Sequence, residues 1–374
     1  MLRAGTAQSG RIQECPTLPN IAAERLHRLA STIVAATGSS PDEAKAVADH
    51  LVMSNLTGHD SHGVGMLPDY VKNCRAGLLV PNQTLKVLRD VGAVLLVDGG
   101  RGFGQTMARD AMRLGAERAK KLGCAVVGLR NASHVGRIGF WAEQCAAEGL
   151  VSLHFVNVAD HDPLQAPFGC SDARLGTNPF CVAVPGADGK PMLLLDMATS
   201  AIAFGKARVA RNKGVPVPDG VLIDAEGRPT TDPTTYVDTR KGALLSFGLH
   251  KGSGLAIFCE VLGAALIGGQ TIAPHHERLD GIVNSMLSLL VDPAVFGDLE
   301  SMRAEVQAVI DWVKASPPAP GFEAVLMPGD PENLARAKRA AEGVPIDPKS
   351  LSDILAAGAS LELDPAELRR IVED

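Results

Sequence analysis

The chain has no pair of cysteines at C-x-x-C spacing. Its seven cysteines, Cys15, Cys74, Cys124, Cys145, Cys170, Cys181 and Cys259, are odd in number and scattered. That argues against a disulfide framework and a structural zinc site, and leaves them as expected small buried hydrophobes. Clusters of lysine and arginine are absent as well. With a formal net charge of -6 and 21% charged residues, the chain carries no basic footprint for nucleic acid or an anionic membrane surface. Long hydrophobic runs are also missing. The longest, Leu255 to Gly269, is too short to span a bilayer and is interrupted by Glu260, which predicts a buried helix. The N-terminus lacks the continuous apolar segment of a secretion signal, so residues 1–19 are expected to form a loose leader and the protein to be cytoplasmic. No metal is expected: His275-His276-Glu277 and His161-Asp162 lack H-x-x-x-H spacing and read as solvent-facing loop residues.

What is present describes an enzyme-sized α+β chain. At 374 residues, two domains are the default. Apolar residues recur at helical spacing over 20–37, and Gly38 offers a stop. Ser40-Pro41-Asp42-Glu43 reads as a capping box, with Ser40 at N-cap and Glu43 reaching back, and the helix it opens ends at Gly58. A third helix is expected from about Pro68 to Gly77. From Leu85 the period changes to strands, "LKVLRD" and "AVLLVDG", followed by a helix from Gln105 to Leu122. Strand-like runs recur at 125–130, 150–158, 180–185 and 192–196, with a helix near 138–148. The turns "GADGK" and "DAEGRP" suggest hairpins, so antiparallel pairing is favoured over a uniform βαβ array. The tail returns to helix, including "DPENLARAKRAAEG" with Asp330 as its cap. The predicted architecture is a helical domain built from residues 20–84 and 286–374 around a central α/β domain, 85–285.

Several stretches could carry chemistry. "VDGGRGFGQ" lacks the third glycine of a G-x-G-x-x-G fingerprint, so it is taken as a tight turn. "HKGSG", His250 to Gly254, sets two glycines, a lysine and a serine at a helix start, where free N–H groups could cradle phosphate or carboxylate; an ordinary helix N-terminus is the alternative. In "NASHVGRIGF", Arg137 near a helix N-terminus could meet a phosphate or stand in solvent. Asp196, at the end of an apolar strand, needs a partner, and a histidine is one candidate. "GHDSHG", Gly58 to Gly63, puts two histidines, an acid and a hydroxyl where a helix stops. His59 and Asp60 are expected to fix that loop through local hydrogen bonds to backbone.

At this point six segments in order, "HDSHGVGMLPDYV", "NASHVGRIGFWAEQCAAEGL", "RLGTNPFCVAVP", "LLLDMATSAIAFGKARVA", "GVPVPDGVLIDAEG" and "HKGSGLAIFCEVLGAALIGG", resemble the motif series of the type-2 malate/L-lactate dehydrogenase family. Within it the chain is most similar to the bacterial hydroxycarboxylate dehydrogenase B branch. The resemblance implies an NAD(P)-dependent reductase of 2-oxo acids, with a largely antiparallel, non-Rossmann nucleotide-binding sheet and a homodimeric assembly. It implies His62 as proton donor, Asp196 as its orienting acid and Ser61 beside it. The implied cofactor contacts are His62, Gly136-Arg137-Ile138, Leu194-Leu195-Asp196-Met197-Ala198, His250, Lys251, Asn284 and the turn Gly329-Asp330-Pro331-Glu332. Met66, His134 and Thr177 would face the substrate.

One position departs from the wider family pattern. Many members carry an arginine four residues after the catalytic histidine, where this chain has Met66. Losing that bidentate anchor for a flexible apolar side chain suits a bulkier or aromatic 2-oxo acid, and Arg137, His134 and Lys206 become candidate carboxylate donors. Asp330 and Glu332 would repel a 2′-phosphate, which favours NAD over NADP. Malate or lactate oxidation proper and reduction of a cyclic imino acid are the nearer alternatives. A cofactor-independent lyase or isomerase using His62 and Asp196, and a non-catalytic binding protein, are the alternatives outside the class.

Overall fold

The structure, a computed structural model, describes residues 20–373, and the expected leader lies outside the described residues. A short strand β1 (Asn20–Ile21) precedes helices α1 (Ala23–Ala36), α2 (Pro41–Leu56) and α3 (Leu67–Arg75). In α1, Leu26, Leu29 and Ile33 recur at helical spacing and are fully buried, each contributing about 2 kcal/mol relative to exposure. Ser40 caps α2 by accepting from Glu43 N at 3.3 Å. The other half of the expected box is replaced: Ser40 N donates to Asn82 Oδ1, while Glu43 Oε2 accepts from Asn82 N, both under 3 Å. Asn82 lies 42 positions beyond Ser40, so a tertiary contact outcompetes the local one.

The chain then enters the sheet: β2 (Lys86–Val91), β3 (Val94–Asp98), α4 (Gly104–Leu122), β4 (Cys124–Ser133), α5 (Ile138–Ala147), β5 (Val151–Ala159), β6 (Phe180–Pro185) and β7 (Pro191–Met197). A lobe follows with α6 (Phe204–Lys213), β8 (Leu222–Ile223), β9 (Pro229–Thr230), α7 (Thr234–Val237) and β10 (Ala243–Leu244). Next come α8 (His250–Gly263), β11 (Val283–Val291), α9 (Leu299–Lys314), α10 (Asp330–Glu342), β12 (Val344–Pro345), α11 (Pro348–Ala359) and α12 (Pro365–Glu373). The seven-stranded sheet has the order β2-β3-β4-β11-β5-β6-β7, and of its six pairings β3–β4 is parallel while five are antiparallel. Both expected hairpins form, β6–β7 around Gly186 to Lys190 and β8–β9 around Asp224 to Arg228.

Two hydrophobic cores organise the chain. In one, α1, α2 and α3 share buried side chains with Ile354 of α11 and Leu368 of α12, so both ends of the chain build the helical unit. In the other, α4 and α5 cover one face of the sheet. On β5, Val156 joins that core while Asn157 binds Glu260 of α8, so α8 covers the opposite face.

Four expectations need correction here. The strand β11 runs across the boundary drawn at 285 and sits centrally between β4 and β5. Its run "VNSMLSLLV" is nearly all buried and does not alternate, as befits a strand covered on both faces. The helix α8 is not buried throughout. Ala256 and Cys259 are enclosed and Glu260 accepts from Asn157, Asn178 and Ile272 N, but Ile257, Phe258, Val261 and, beyond the helix, Leu266 are exposed. Among the described residues, His250–Ile267 is long and apolar enough to cross a membrane; here one face lies on the sheet. Asp330 does not cap α10. Gly329 stands at the N-cap with φ +100°, and the Asp330 carboxylate accepts from Met327 N and pairs with Lys314 at 2.8 Å. The cysteines are mixed: Cys145, Cys181 and Cys259 are buried, whereas Cys124 and Cys170 are exposed.

The glycine turn "VDGGRGFGQ" joins β3 to α4. The first turn of α4 is buried against β4, and a Cβ on Gly104 would lie 2.3 Å from His134 O, so no pyrophosphate could approach that helix end.

Candidate active site

The loop after α2 carries Ser61 and His62 on two short 3-10 turns, Asp60–His62 and Val64–Met66. Gly58 leaves the helix at φ +86°, a backbone conformation glycine tolerates. Asn55 staples the loop, donating to Asp60 Oδ1 and accepting from Val64 N, each at 2.8 Å. A side chain on Gly63 would collide with Asn55, its Cβ falling 2.2 Å from Oδ1. His59 and Asp60 fix the loop through distant side chains rather than local backbone. Asp60 takes both guanidinium nitrogens of Arg339 at 2.7 and 3.0 Å, and His59 meets Glu332 at 3.1 Å. Both partners lie on α10, brought alongside by the packing of the C-terminal segment.

This loop forms one wall of a cleft of about 1480 Å³ between the helical unit, the sheet edge and the α6 lobe. Ser61, His62 and Met66 face it from the loop, and His134, Gly136, Arg137 and Ile138 from the β4–α5 connection. Thr177, Asp196, Met197, Ala198 and Asn284 contribute from the sheet, and Pro331 and Glu332 from α10. A second cavity, about 680 Å³, takes Leu194, Gly329 and Asp330 and shares Glu332 with the first. Leu195, one strand position out of phase with Leu194 and Asp196, joins neither. His250 and Lys251 are exposed at the start of α8 and also lie outside both cavities, with His250 edge-on to Phe168. The backbone of that helix start is closed by Phe247, whose carbonyl would meet a Cβ on Gly252 at 2.0 Å. His161, expected in solvent, lines the cleft with its Nδ1 held at 2.6 Å by Asp162 O.

His62 Nδ1 lies 3.0 Å from Ser61 Oγ, and its ring stacks on His134 at 5.5 Å. Burial pushes the His62 imidazole down to about 4; the nearby His59 adds to that shift, the Asp196 carboxylate opposes it and Arg137 adds to it. Asp196 therefore acts on His62 through space. Its Oδ2 accepts from Gly139 N at 2.8 Å and faces Arg137 Nε at 3.3 Å, and it makes no hydrogen bond to His62 among the described residues. Gly139 permits this approach, since a Cβ there would come within 2.6 Å of Asp196 Oδ2.

Arg137 is fully buried and its guanidinium also meets both oxygens of Glu143, which Arg336 holds at 2.6 Å. Its two terminal nitrogens are thus taken by Glu143, while Nε faces Asp196 without a hydrogen bond, so the groups this guanidinium meets within the chain are protein carboxylates. Burial of so large a cation is tolerable only because two carboxylates surround it. Asn284 is also engaged within the chain, accepting from Val135 N at 2.8 Å and donating to Asn157 O at 2.7 Å, so it holds the β4–α5 connection in place. Sequence reasoning missed Tyr70, whose hydroxyl lies 2.8 Å from His134 Nδ1, and Arg208, which joins Lys206 on the α6 side of the cleft. A tyrosine eight residues after His62, in the first turn of the next helix, was the available signal.

Comparisons with known proteins agree with this architecture. Residues 21–355 match the family model described as malate/L-lactate dehydrogenase. Hydroxycarboxylate dehydrogenase B of Escherichia coli (strain K12) is 49% identical over 328 residues, covering 87% of this chain and 89% of the relative. The solved structure of a candidate malate/lactate dehydrogenase from E. coli superposes with a TM-score of 0.91 at 45% identity, covering 95% of this chain and 99% of the other. Delta1-piperideine-2-carboxylate reductase from Pseudomonas syringae pvar. tomato superposes with a TM-score of 0.77 at 28% identity, covering 91% and 99%. The chain belongs to the malate/L-lactate dehydrogenase family, a family of 2-hydroxy acid oxidoreductases.

Proposed function

We propose that this protein is an NAD-dependent 2-hydroxycarboxylate dehydrogenase, interconverting 2-oxo and 2-hydroxy acids with His62 as general acid and base. The observation that carries this reading is His62 itself, held through Nδ1 by Ser61 inside a cleft that Asp196 also lines.

The residues present fit a dinucleotide. The two cavities are adjacent, sharing Glu332 as a lining residue, and the second contains Arg303 and Arg336, whose buried Nε atoms have no hydrogen-bond partner among the described residues. Acceptors on a bound ribose or phosphate would satisfy them. His62, Gly136 to Ile138, Met197, Ala198 and Asn284 would hold the nicotinamide end, and Leu194 with Gly329 to Glu332 the other. In a single chain His250 and Lys251 are outside both cavities. Carboxylates outnumber cations around the second cavity, Glu143, Asp188, Glu300, Asp330 and Glu332 against Lys190, Arg303 and Arg336, which supports NAD over NADP.

Bound nicotinamide supplies or accepts the hydride. His62 Nε2, the ring nitrogen left free by Ser61, gives the proton to the carbonyl oxygen in reduction and takes it back from the hydroxyl in oxidation. The Asp196 charge favours the protonated ring. With Arg137 committed to Glu143 and Asp196, Lys206 at the α6 side is the cation for the substrate carboxylate. Met66 in place of a charged residue supports a bulkier or aromatic side chain on the substrate over malate or lactate.

A cyclic imino acid needs the same hydride and proton positions, and the likeness to the piperideine-2-carboxylate reductase favours it as the second reading. The exposure of Phe258, Val261 and Leu266, with Trp312 of α9 at 81% exposed, supports a homodimer. The test is NADH oxidation at 340 nm, with NADPH in parallel, against pyruvate, oxaloacetate, 2-oxoglutarate, phenylpyruvate, hydroxyphenylpyruvate and a cyclic imine. Turnover of an oxo acid with NADH supports the reading; NADH binding without turnover of any panel member counts against the substrate class. No nicotinamide binding would favour a lyase or isomerase instead.

A further inference from the structure

His134, the ring stacked on His62, is held by donors of its own. Tyr70 on α3 is buried, with its hydroxyl 2.8 Å from His134 Nδ1, and the buried Gln105 on α4 donates its Nε2–H to the same hydroxyl at 2.8 Å. An edge-to-face contact with Phe103, centroids 5.8 Å apart at 81°, fixes the phenol ring. A phenol has one proton to give. With Gln105 donating to the oxygen, that proton points at His134 Nδ1, and a ring nitrogen that accepts carries none. A neutral imidazole then bears its proton on Nε2. His134 lines the cleft, and its Nε2 is neither sealed in nor partnered among the described residues.

The arrangement separates two roles that adjacent histidines would otherwise share. The rings of His62 and His134 lie 5.5 Å apart and within 16° of parallel, so two imidazolium ions there would repel strongly. Burial first, then the neighbouring charge of His62, holds His134 well below its ordinary range. A carbonyl oxygen that gains negative charge during hydride transfer has two lone pairs, and two parallel imidazoles can address both.

We propose that Gln105 and Tyr70 lock His134 in the Nε2–H tautomer, making it a fixed neutral donor to the substrate carbonyl oxygen while His62 alone exchanges the proton. Tyr70 and Gln105 are positioning residues acting through His134. The proposal rests on the reading of the cleft as a 2-oxo acid site.

Long-range proton–nitrogen spectra of protein labelled with ¹⁵N-histidine read the tautomer directly and need no turnover. The expected wild-type spectrum has His134 protonated at Nε2 alone across the neutral range, and Tyr70→Phe a mixture of both tautomers. With an oxo acid that the wild type reduces, Tyr70→Phe is expected to lower kcat about tenfold while leaving the Kd for NADH unchanged, as for a fixed donor felt mainly in the transition state. Protonated Nδ1 in the wild type, or an unaltered tautomer and kcat in Tyr70→Phe, overturns the proposal. If Tyr70→Phe does not fold, Gln105→Leu makes the same comparison: tautomer mixing supports the lock and an unaltered spectrum overturns it. A wild type with the expected tautomer but no activity on any oxo acid would instead overturn the dehydrogenase reading, and with it the carbonyl-donor role.

Discussion

His62 Nδ1 and Ser61 Oγ stand 3.0 Å apart, an interaction between neighbours on a ring that lines the cleft and that leaves its other nitrogen free of this contact. On the proposed function, chemistry at this loop depends on one imidazole nitrogen, and on whatever keeps the loop where it is.

Removing the imidazole tests the first dependence. His62→Ala is expected to cut oxo acid turnover by roughly a hundredfold or more, the usual loss for a general acid, with NADH affinity little changed. Steady-state kinetics beside a fluorescence titration of NADH checks it, and near-normal turnover would sink the assignment.

The pH profile should be asymmetric between directions. Because burial lowers His62 to about 4, the free enzyme holds it neutral at neutral pH and ready as a base. For hydroxy acid oxidation, kcat/KM should stay flat on the acid side well below the ordinary histidine value and fall only toward about 4. Oxo acid reduction needs the protonated ring, so its kcat/KM should rise steadily as pH drops through neutrality. An oxidation profile that falls with an ordinary histidine pKa would contradict this.

Stability carries a related signature from histidines outside the chemistry. His50, stacked on Trp141 and donating to Arg137 O, is lowered to about 3, and His154, between Ser152 and Ser288, to about 4, in each case mainly by burial. Unfolding exposes both rings, which then bind protons near ~6.5. Between that value and the folded ones the unfolded state holds more protons, so stability is full above it and lost as pH falls. Thermal melts should drop progressively below about pH 6.5, and His50→Gln should make that decline shallower. Equal slopes for wild type and variant would refute the contribution of His50.

The loop's anchorage is testable at a distance from the cleft. Arg339→Ala removes both bonds to Asp60 and the one to Asn55 O. Turnover should fall roughly tenfold, the loss expected when a positioned group loosens, while the melting temperature moves only a few degrees because Asp60 is half-exposed. Unchanged kcat in a folded variant would mean that Asn55 and the His59–Glu332 contact hold the loop without Arg339.

Much of the scaffold was legible because its signals are local. Leu26, Leu29 and Ile33 declare the face of α1 within three turns, Ser40-Pro41 announces α2, and Gly186 to Lys190 turns one strand into the next. Where a signal was missing, burial explains it. The strand β11 has polar Asn284, Ser285 and Ser288 among apolar neighbours, and no alternation, because both of its faces are covered. α8 misled in the opposite sense: the apolar run from Leu255, broken only by Glu260, predicts a buried helix, whereas the sheet encloses only one face.

The sequence by itself determined the element types, the failure of a Rossmann fingerprint and the loop that carries Ser61 and His62, since each depends on side chains a few residues apart. Tertiary structure alone decided who partners whom at the site. Asp196 meets Gly139 and Arg137 rather than bonding a histidine, Arg137 is enclosed between carboxylates, Asp60 finds Arg339 on α10 and Tyr70 finds His134. These pairs lie 57 to 279 positions apart except where the chain turns back at once, as from Arg137 to Glu143. Periodicity and turn chemistry act through neighbours along the chain, whereas a buried charge or donor takes whichever partner the packed core brings within reach.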